Sequence, residues 1–311
     1  MNYLHHYHCG NFADIFKHSI LSLFLEHYKS EQNQPSANEK DTELLVIDTH
    51  SGSGKYTIPT PKKQQNHKKI YCEAFDGLWK ILCSGNEINL IPESLLYVIS
   101  RINHCKMHQI KDLEQIIYPG SPLIIKYLAP FYSKTIFCET NPEINQQLKR
   151  NFAGNLRFFV NNEDGFLLLK RNTMKERLEL QKSLVFIDPS FEKYHHPISK
   201  DYQNISQLIE DLDKKFTEKK QQNQKTLSTF VIWYPVIIKQ ETREYNELEL
   251  FYYNISKLPK DRWQNFICHN INNTTAMKSC GILVFNAPKP LVNKIKNFNF
   301  NLQKFFDNEN A

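Results

Sequence analysis

The stretch LLVIDTHSGSGKYT, from Leu44 to Thr57, joins a run of apolar residues to an acid and two glycines. A short apolar run of this kind is compatible with a buried parallel strand. Glycines let the backbone approach a ligand closely and adopt positive φ. The stretch therefore predicts a strand whose carboxyl end opens into a ligand-binding loop.

Two nucleotide-binding motifs can be tested on this loop by counting residues. A triphosphate-binding P-loop built on Gly54-Lys55 needs glycine at position 49 and a hydroxyl at position 56, but these are Thr49 and Tyr56. The dinucleotide pattern G-x-G-x-x-G fails because its third glycine is Thr57. The remaining pattern, an acid at the strand end followed by G-x-G, resembles the first loop of Rossmann-like methyltransferases. In those enzymes the loop holds the amino-acid end of S-adenosylmethionine.

Bulk composition bounds the class of protein. At 311 residues and 41% hydrophobic content, the chain can bury a sizeable core in one or two domains. No apolar run reaches the length of a membrane span, and the N-terminus lacks the layout of a signal peptide. The net charge of +6 and pI of about 8.8 allow a nucleic-acid partner without requiring one.

Cysteine usage indicates the redox environment. The seven cysteines are scattered and include no C-x-x-C pair. This pattern favours reduced thiols in a cytoplasmic protein over a disulfide framework or a zinc site.

Strand and helix patterns alternate along the chain, which predicts a parallel α/β sheet. A first helix is expected over 11–28 and two more in the segment 56–116, which interrupts the alternation as a small helical insertion. Asn141 and Pro142 predict the start of another helix. The predicted strands are 43–48, 135–140, 156–160, 183–188 and 229–235, followed by an antiparallel edge pair from NFICHNI and GILVFNA.

Four consecutive strands end in, or are followed by, an acid: Asp48, Glu139, Asp164 and Asp188. Ligands in such sheets bind at the carboxyl ends of the strands. A carboxylate after the second strand suits a ribose diol, because it can accept both hydroxyl hydrogens. Any single acid could be an ordinary helix cap, but the four together predict a nucleoside-binding edge.

The tetrapeptide Asp188-Pro189-Ser190-Phe191 carries the predicted chemistry. It resembles the D/N-P-P-Y/F motif of amino-methyltransferases acting on nucleic-acid bases. In that motif the acid and the first proline carbonyl accept the two N–H bonds of an exocyclic amine, and the aromatic stacks on the base. Ser190 departs from the motif, so a constrained backbone is lost at this position. A plain turn after a strand is the competing interpretation.

The N-terminal stretch YLHHYHCGNFADIFKH, with LVIDTHSGSGKY, YPGSP, EDGF, IDPSF, WYP and GILVFNAP, gives a family resemblance. In this order, from residue 3 to about 290, the motifs resemble the bacterial 23S ribosomal RNA adenine-N6 methyltransferases of the single-target, monomeric type. The resemblance implies a Rossmann-like class I methyltransferase, a mostly parallel seven-stranded sheet with an antiparallel last strand. It also implies S-adenosylmethionine as donor, and 23S rRNA as substrate before or early in assembly.

Individual roles follow from the same resemblance, motif by motif. It implies that residues 1–55 and 117–311 form the methyltransferase domain and that 56–116 form the inserted subdomain. It makes Asp188 the catalytic acid, with Pro189 and Phe191, and lets Tyr3 and His5 face the RNA. The residues it implies for the donor site are Lys17, His18, His50, Ser121, Glu139, Asp164, Gly165 and Asp188.

Several alternatives stay open on the sequence alone. The same donor site would serve an amino-methyltransferase acting on another nucleic acid or on a small molecule. Ser190 would also suit an RNA-binding relative that has lost catalysis. His5, His6 and His8 lack further ligands at metal-binding spacing, so no metal is expected. The basic groups Lys62-Lys63, Lys68-Lys69 and Lys257 to Arg262 are either RNA contacts or solvated surface.

Overall fold

The structure is a computed structural model that describes residues 8–32, 43–59, 72–84, 89–191, 199–236, 243–270, 277 and 279–307. Nine strands lie in these ranges: β1 (Leu45–Asp48), β2 (Lys55–Pro59), β3 (Gln115–Pro119), β4 (Lys134–Cys138), β5 (Phe158–Asn161), β6 (Ser183–Ile187), β7 (Ser228–Val236), β8 (Trp263–His269) and β9 (Ser279–Phe285). Ten α-helices accompany them: α1 (Phe12–Gln32), α2 (Leu78–Cys83), α3 (Glu93–Ile102), α4 (Ser121–Leu128), α5 (Pro142–Phe152), α6 (Gly165–Lys170), α7 (Asn172–Leu180), α8 (Lys200–Gln221), α9 (Arg243–Ser256) and α10 (Lys289–Asp307).

Seven strands form one sheet in the order β5-β4-β1-β6-β7-β9-β8. The pairs from β5 to β7 are parallel, and β9 is antiparallel to both of its neighbours. The predicted Rossmann-like fold, with its mostly parallel seven-stranded sheet, antiparallel last strand and edge pair, is confirmed. The chain fills the sheet on one side of β1 before crossing to the other. The switch point therefore lies where β1 and its parallel neighbours end.

Helix α1 is buried along most of its length. Its apolar side chains, such as Phe16 and Phe24, are inaccessible to solvent, and so are several of its polar ones, including Asp14, Lys17 and His18. It packs against α4, α3 and α10. A helix with polar groups buried on this scale requires partners for them, and these partners form part of the site described below.

The segment between β1 and β4 contains the two helices expected there, α2 and α3, and a hairpin that was not predicted. Strands β2 and β3 pair antiparallel, with Tyr56 directly opposite Tyr118. Gly77 lets this segment approach α1, since a Cβ at that position would lie 2.3 Å from the Gly10 carbonyl oxygen. The division into a methyltransferase domain and an inserted subdomain stays a prediction.

Helix α10 is a second element that the sequence patterns left out. It follows the edge pair and buries Leu291, Ile295, Leu302 and Phe306 against the rest of the molecule. Among the described helices, none is long and apolar enough to cross a membrane. The seven cysteines are free thiols.

Candidate active site

The four acids predicted from the strand ends lie along one edge of the sheet. Asp48 ends β1, and Glu139, Asp164 and Asp188 follow β4, β5 and β6. Because these strands are parallel neighbours, their carboxyl ends open on the same side. The structure thus brings together the acids that sequence reasoning singled out.

Asp48 is held in a fully buried position by a neutral partner. Its Oδ2 accepts a 2.8 Å hydrogen bond from the Ser121 hydroxyl at the start of α4. Oδ1 is also buried and has no hydrogen-bond partner among the described residues. Burial raises the pKa of Asp48 to about 7, with the nearby Asp188 carboxylate adding to the shift. A buried carboxylate oxygen without a donor calls for a ligand with N–H groups or positive charge.

His50 lies in the loop that follows β1 and contains Gly52 and Gly54, here called the glycine loop, and its side chain is a neutral imidazole. Its Nδ1 lies 2.8 Å from the Thr49 hydroxyl, and its ring meets Phe166 edge-on at 5.2 Å. Burial lowers the pKa of His50 to about 4. The side chain therefore presents an uncharged polar surface above β1 at physiological pH.

Glu139 joins the glycine loop to the start of α5 through hydrogen bonds to both. One carboxylate oxygen accepts from the Gly52 backbone N–H at 3.0 Å and the other from the Asn141 N–H at 2.7 Å. Burial raises the pKa of this carboxyl. Asn141 in turn caps α5 through its side chain, as predicted. The contacts hold the loop that follows Asp48 in place.

Asp164 and Gly165 have visible structural roles. The Asp164 side chain caps α6 by accepting from the Phe166 and Leu167 N–H groups at 2.7 and 3.1 Å. A Cβ on Gly165 would lie 2.4 Å from the Thr49 carbonyl oxygen, so only glycine allows α6 to approach the end of β1 so closely. Their predicted contact with the donor stays a prediction.

Asp188 is ion-paired inside the site. Its Oδ2 lies 2.8 Å from Lys17 Nζ, which also contacts Asp14 Oδ1 at 2.9 Å. The same ammonium lies 5.0 Å from the centroid of the Trp233 ring. Burial raises the pKa of Asp188, and the Lys17 charge opposes this shift. One lysine thus pairs with two carboxylates, of which Asp14 is buried and Asp188 is 12% exposed, and an aromatic ring lies beside it.

The backbone after Asp188 turns sharply. Pro189 is buried, Ser190 is exposed, and Phe191 has φ of 53°, which is uncommon for a residue with a side chain. The Phe191 N–H donates to Asp201 Oδ2 at 3.0 Å. Its half-buried ring lies 4.7 Å from Tyr202 and 5.6 Å from Trp233 between centroids. The loop is therefore braced by aromatic packing on one side of Phe191.

His18, next to Lys17 in α1, is tied to the hairpin. Its Nδ1 lies 2.9 Å from the Tyr118 hydroxyl, and both side chains are buried. Sequence reasoning missed the positioning roles of Asp14 and Tyr118. A signal was available for Asp14, because it stands one helical turn before Lys17. The position of Tyr118 against His18 instead depends on the pairing of β2 with β3.

Other predicted residues lie elsewhere or outside the described part of the chain. Tyr3, His5 and the lysine pairs at 62–63 and 68–69 lie outside the described residues. The two aromatic side chains of the WYP motif, Trp233 and Tyr234, are buried in the core. In the described ranges, no cluster of three or more histidine, cysteine or acidic side chains could hold a metal ion.

Comparisons with known proteins match the chain over most of its length. A family model described as ribosomal RNA large subunit methyltransferase D, RlmJ, matches residues 41–309. A Haemophilus influenzae protein named ribosomal RNA large subunit methyltransferase J is 28% identical over 300 residues, covering 95% of this chain and 90% of that protein. The Escherichia coli protein of the same name is 25% identical over 304 residues, covering 96% and 91%.

A solved structure supports the fold. The crystal structure of a Legionella pneumophila protein superposes with a TM-score of 0.69 at 23% identity. It covers 97% of this chain and 95% of that one. The likeness extends over the whole chain rather than over the sheet alone.

Proposed function

The chain belongs to the RlmJ family of ribosomal RNA large subunit methyltransferases, and from this premise we propose that it methylates the N6 amine of one adenine in 23S rRNA. The observation behind this proposal is Asp188, whose side chain is 12% exposed, follows the central strand in the D-P-x-aromatic pattern and is held by Lys17. The donor is S-adenosylmethionine, which supplies an electrophilic methyl group when bound.

The donor site consists of the groups at the ends of β1, β4 and β5. Asp48 Oδ1, buried and without a donor among the described residues, suits the ammonium of an amino acid. Glu139 suits a ribose diol, and Asp164 with the neutral His50 suits the adenosine base. The proposed donor site is completed by Lys17, His18, Ser121 and Gly165. The residues present therefore fit the donor that the family implies.

Asp188 and Pro189 activate the target amine. The lone pair of an adenine amine is delocalised into the ring, so the amine is a poor nucleophile. The Asp188 carboxylate and the Pro189 carbonyl each accept one N–H bond, which favours a pyramidal nitrogen with its lone pair directed at the methyl group. As the new C–N bond forms, the C–S bond of the sulfonium breaks and leaves a neutral thioether. The Asp188 carboxylate would stabilise the positive charge on nitrogen until a proton passes to solvent. Catalysis is then positioning and electrostatics.

Lys17 keeps Asp188 ionised for this task. Burial alone raises the pKa of the acid, and a protonated carboxyl could accept less well from the amine. The ammonium 2.8 Å away favours the charged form. Phe191 stacks on the target base from the end of the loop, and Tyr3 and His5 contact the RNA.

We assign residues 1–55 and 117–311 to the methyltransferase domain and 56–116 to the inserted subdomain. The enzyme acts in the cytoplasm as a monomer, on 23S rRNA that is free of protein or in early assembly.

The test is methyl transfer from labelled S-adenosylmethionine to unmodified, protein-free 23S rRNA, followed by digestion to nucleosides. N6-methyladenosine from the wild type and none from Asp188→Ala is the expected result. Donor binding is measured in parallel. Donor binding by the wild type without any methyladenosine would overturn the proposal and favour another substrate or an RNA-binding protein without catalysis.

A further inference from the structure

Helix α10 carries nearly all of its charge in one sign. It contains Lys289, Lys294, Lys296 and Lys304 against a single acid, Asp307. Lys294 pairs with Glu26 of α1 at 3.0 Å. For Lys296 and Lys304, both exposed, the described residues offer no carboxylate within ion-pairing distance. Two cations on this helix are therefore available to an anionic partner.

An exposed aromatic lies between these two cations. Phe300 follows Lys296 by four residues and precedes Lys304 by four, so the three side chains share one face of the helix. The Phe300 side chain is 69% exposed, whereas Phe306 on the buried face is fully covered. Asn297 and Asn301 are exposed beside it. Cations, amides and an open ring on one face suit the phosphates and bases of a single-stranded nucleic acid.

The direction of α10 brings its C-terminal end to the edge of the sheet that carries the proposed active site. Near the C-terminal end of α10, Gln303 Oε1 accepts a hydrogen bond from the His269 N–H, which lies at the carboxyl end of β8. Strand β8 runs parallel to β7, because both are antiparallel to β9. The helix therefore ends at the same edge of the sheet as Asp188.

Two further contacts join the C-terminal end of α10 to α1 and α2, near the site. Phe306 meets Phe12 of α1 edge-on at 6.0 Å between centroids, and Phe12 precedes Lys17 by five residues. Lys80 of α2 lies 5.3 Å from the Phe306 ring centroid and adds positive charge there. A single-stranded RNA bound along α10 would thus continue toward the start of α1.

We infer that the exposed face of α10, formed by Lys296, Phe300 and Lys304, binds a single-stranded segment of the substrate RNA next to the target adenine. This inference rests on the proposed function for the identity of the RNA. The lysines contact phosphates and contribute salt-dependent affinity, while the ring stacks on a base. The face sets how tightly RNA binds, and it leaves the methyl-transfer step itself unchanged.

The test compares two triple variants of equal charge change. The first is Lys296→Gln, Phe300→Ala, Lys304→Gln. The control is Lys214→Gln, Leu180→Ala, Lys225→Gln, which removes two exposed lysines and one exposed apolar side chain from the region of α7 and α8. All six side chains are exposed, so both variants keep the wild-type core, and melting temperatures check this.

Affinity is measured for protein-free 23S rRNA, for a short single-stranded RNA, and for the same RNA as a duplex, each over a range of salt. For the α10 variant we expect the Kd for single-stranded RNA to rise about 10- to 100-fold. The slope of log K against log salt should fall by about 1.4, the share of two phosphate contacts. The control should match the wild type, and donor affinity and kcat at saturating rRNA should be unchanged in both.

The outcomes separate this inference from the proposed function. Equal RNA affinity in the two triple variants overturns the role of α10, whatever the activity. RNA binding that depends on α10 without any methyl transfer by the wild type overturns the proposed function and leaves the RNA-binding face intact. Failure of the wild type to bind any of the three RNA probes overturns both.

Discussion

Asp48 and Asp188 lie at the ends of neighbouring strands, yet the groups that contact their carboxylates differ in charge. Asp48 receives a hydrogen bond from the neutral Ser121 and keeps one oxygen without a partner among the described residues. Asp188 lies against the Lys17 ammonium. Burial raises the pKa of both acids, but only Asp188 has a cation beside it to oppose the shift. In the proposed mechanism, the protein supplies the counter-charge to the catalytic acid Asp188, and the bound donor supplies it to Asp48.

The comparison is tested most severely at Asp188 itself. We expect Asp188→Ala to lower kcat by about 100- to 1,000-fold, as loss of one preorganised electrostatic partner does. Donor affinity should change much less than kcat, because Asp48, Glu139 and the other donor-site residues remain. Turnover on protein-free 23S rRNA and calorimetric donor binding measure the two effects. Asp211→Ala, on α8, is the control, and equal losses in the two variants would remove Asp188 from catalysis.

Lys17→Met removes the counter-charge from two carboxylates at once. Breaking a buried ion pair by deleting one partner costs about 3–5 kcal/mol, so the free energy of unfolding should fall by about 3 kcal/mol. The pKa of Asp188 should rise further, which moves the acid limb of the activity profile to higher pH. Urea unfolding and a kcat–pH series measure both.

The control for Lys17→Met is Lys294→Met, which removes an exposed partner of Glu26 and should cost less than about 1 kcal/mol. An acid limb that does not move in Lys17→Met would show that Lys17 does not govern the ionisation of Asp188.

Asp48→Asn should separate stability from ligand binding. The folded pKa of Asp48, about 7, exceeds its unfolded value. The native state therefore holds this proton more tightly, and Asp48 makes the donor-free protein less stable as pH rises from about 4 to 7. Asparagine removes that dependence, so the variant should melt higher than the wild type at pH above 7.

The same variant should bind the donor more weakly. A charge-assisted hydrogen bond contributes about 1.5–3 kcal/mol, so the Kd for S-adenosylmethionine should rise about 10- to 100-fold. Thermal melts with and without donor across this pH range measure both effects. A donor affinity equal to that of the wild type would mean that Asp48 contributes no charge to donor binding.

The smallest effect is expected at Ser190. Proline there would restore the second proline of the motif and fix φ at residue 190. A compatible proline stabilises a loop by about 0.4–1 kcal/mol, so kcat should rise about twofold to fivefold in Ser190→Pro. Single-turnover rates measure this. A large loss of activity would instead mean that the positive φ of Phe191 depends on the freedom of Ser190.

Sequence reasoning found the four acids because chain order alone places them at the ends of consecutive parallel strands. It did not find the hairpin, because β2 and β3 are short and lie more than fifty residues apart. Periodicity within one segment cannot show which distant segment will pair with it. The His18–Tyr118 bond follows from that pairing, so it was out of reach for the same reason.

Helix α10 was missed for a different reason. Its apolar residues recur at helical spacing, but five asparagine and glutamine residues lie among them, and asparagine has low helix propensity. Packing against α1 and β8 overrides that local preference. The electrostatic environments of Asp48 and Asp188 also could not be predicted from local patterns, because Ser121 and Lys17 approach these acids from other parts of the chain.

The buried polar face of α1 has a consequence for folding kinetics. Its partners come late in the chain: Tyr118 for His18, Asp188 for Lys17, and Thr229 for Tyr28. The last of these contacts joins residues 201 positions apart. Such contacts raise contact order, which slows folding. During synthesis α1 emerges before any of these partners, so this helix cannot complete its native contacts until most of the polypeptide has left the ribosome.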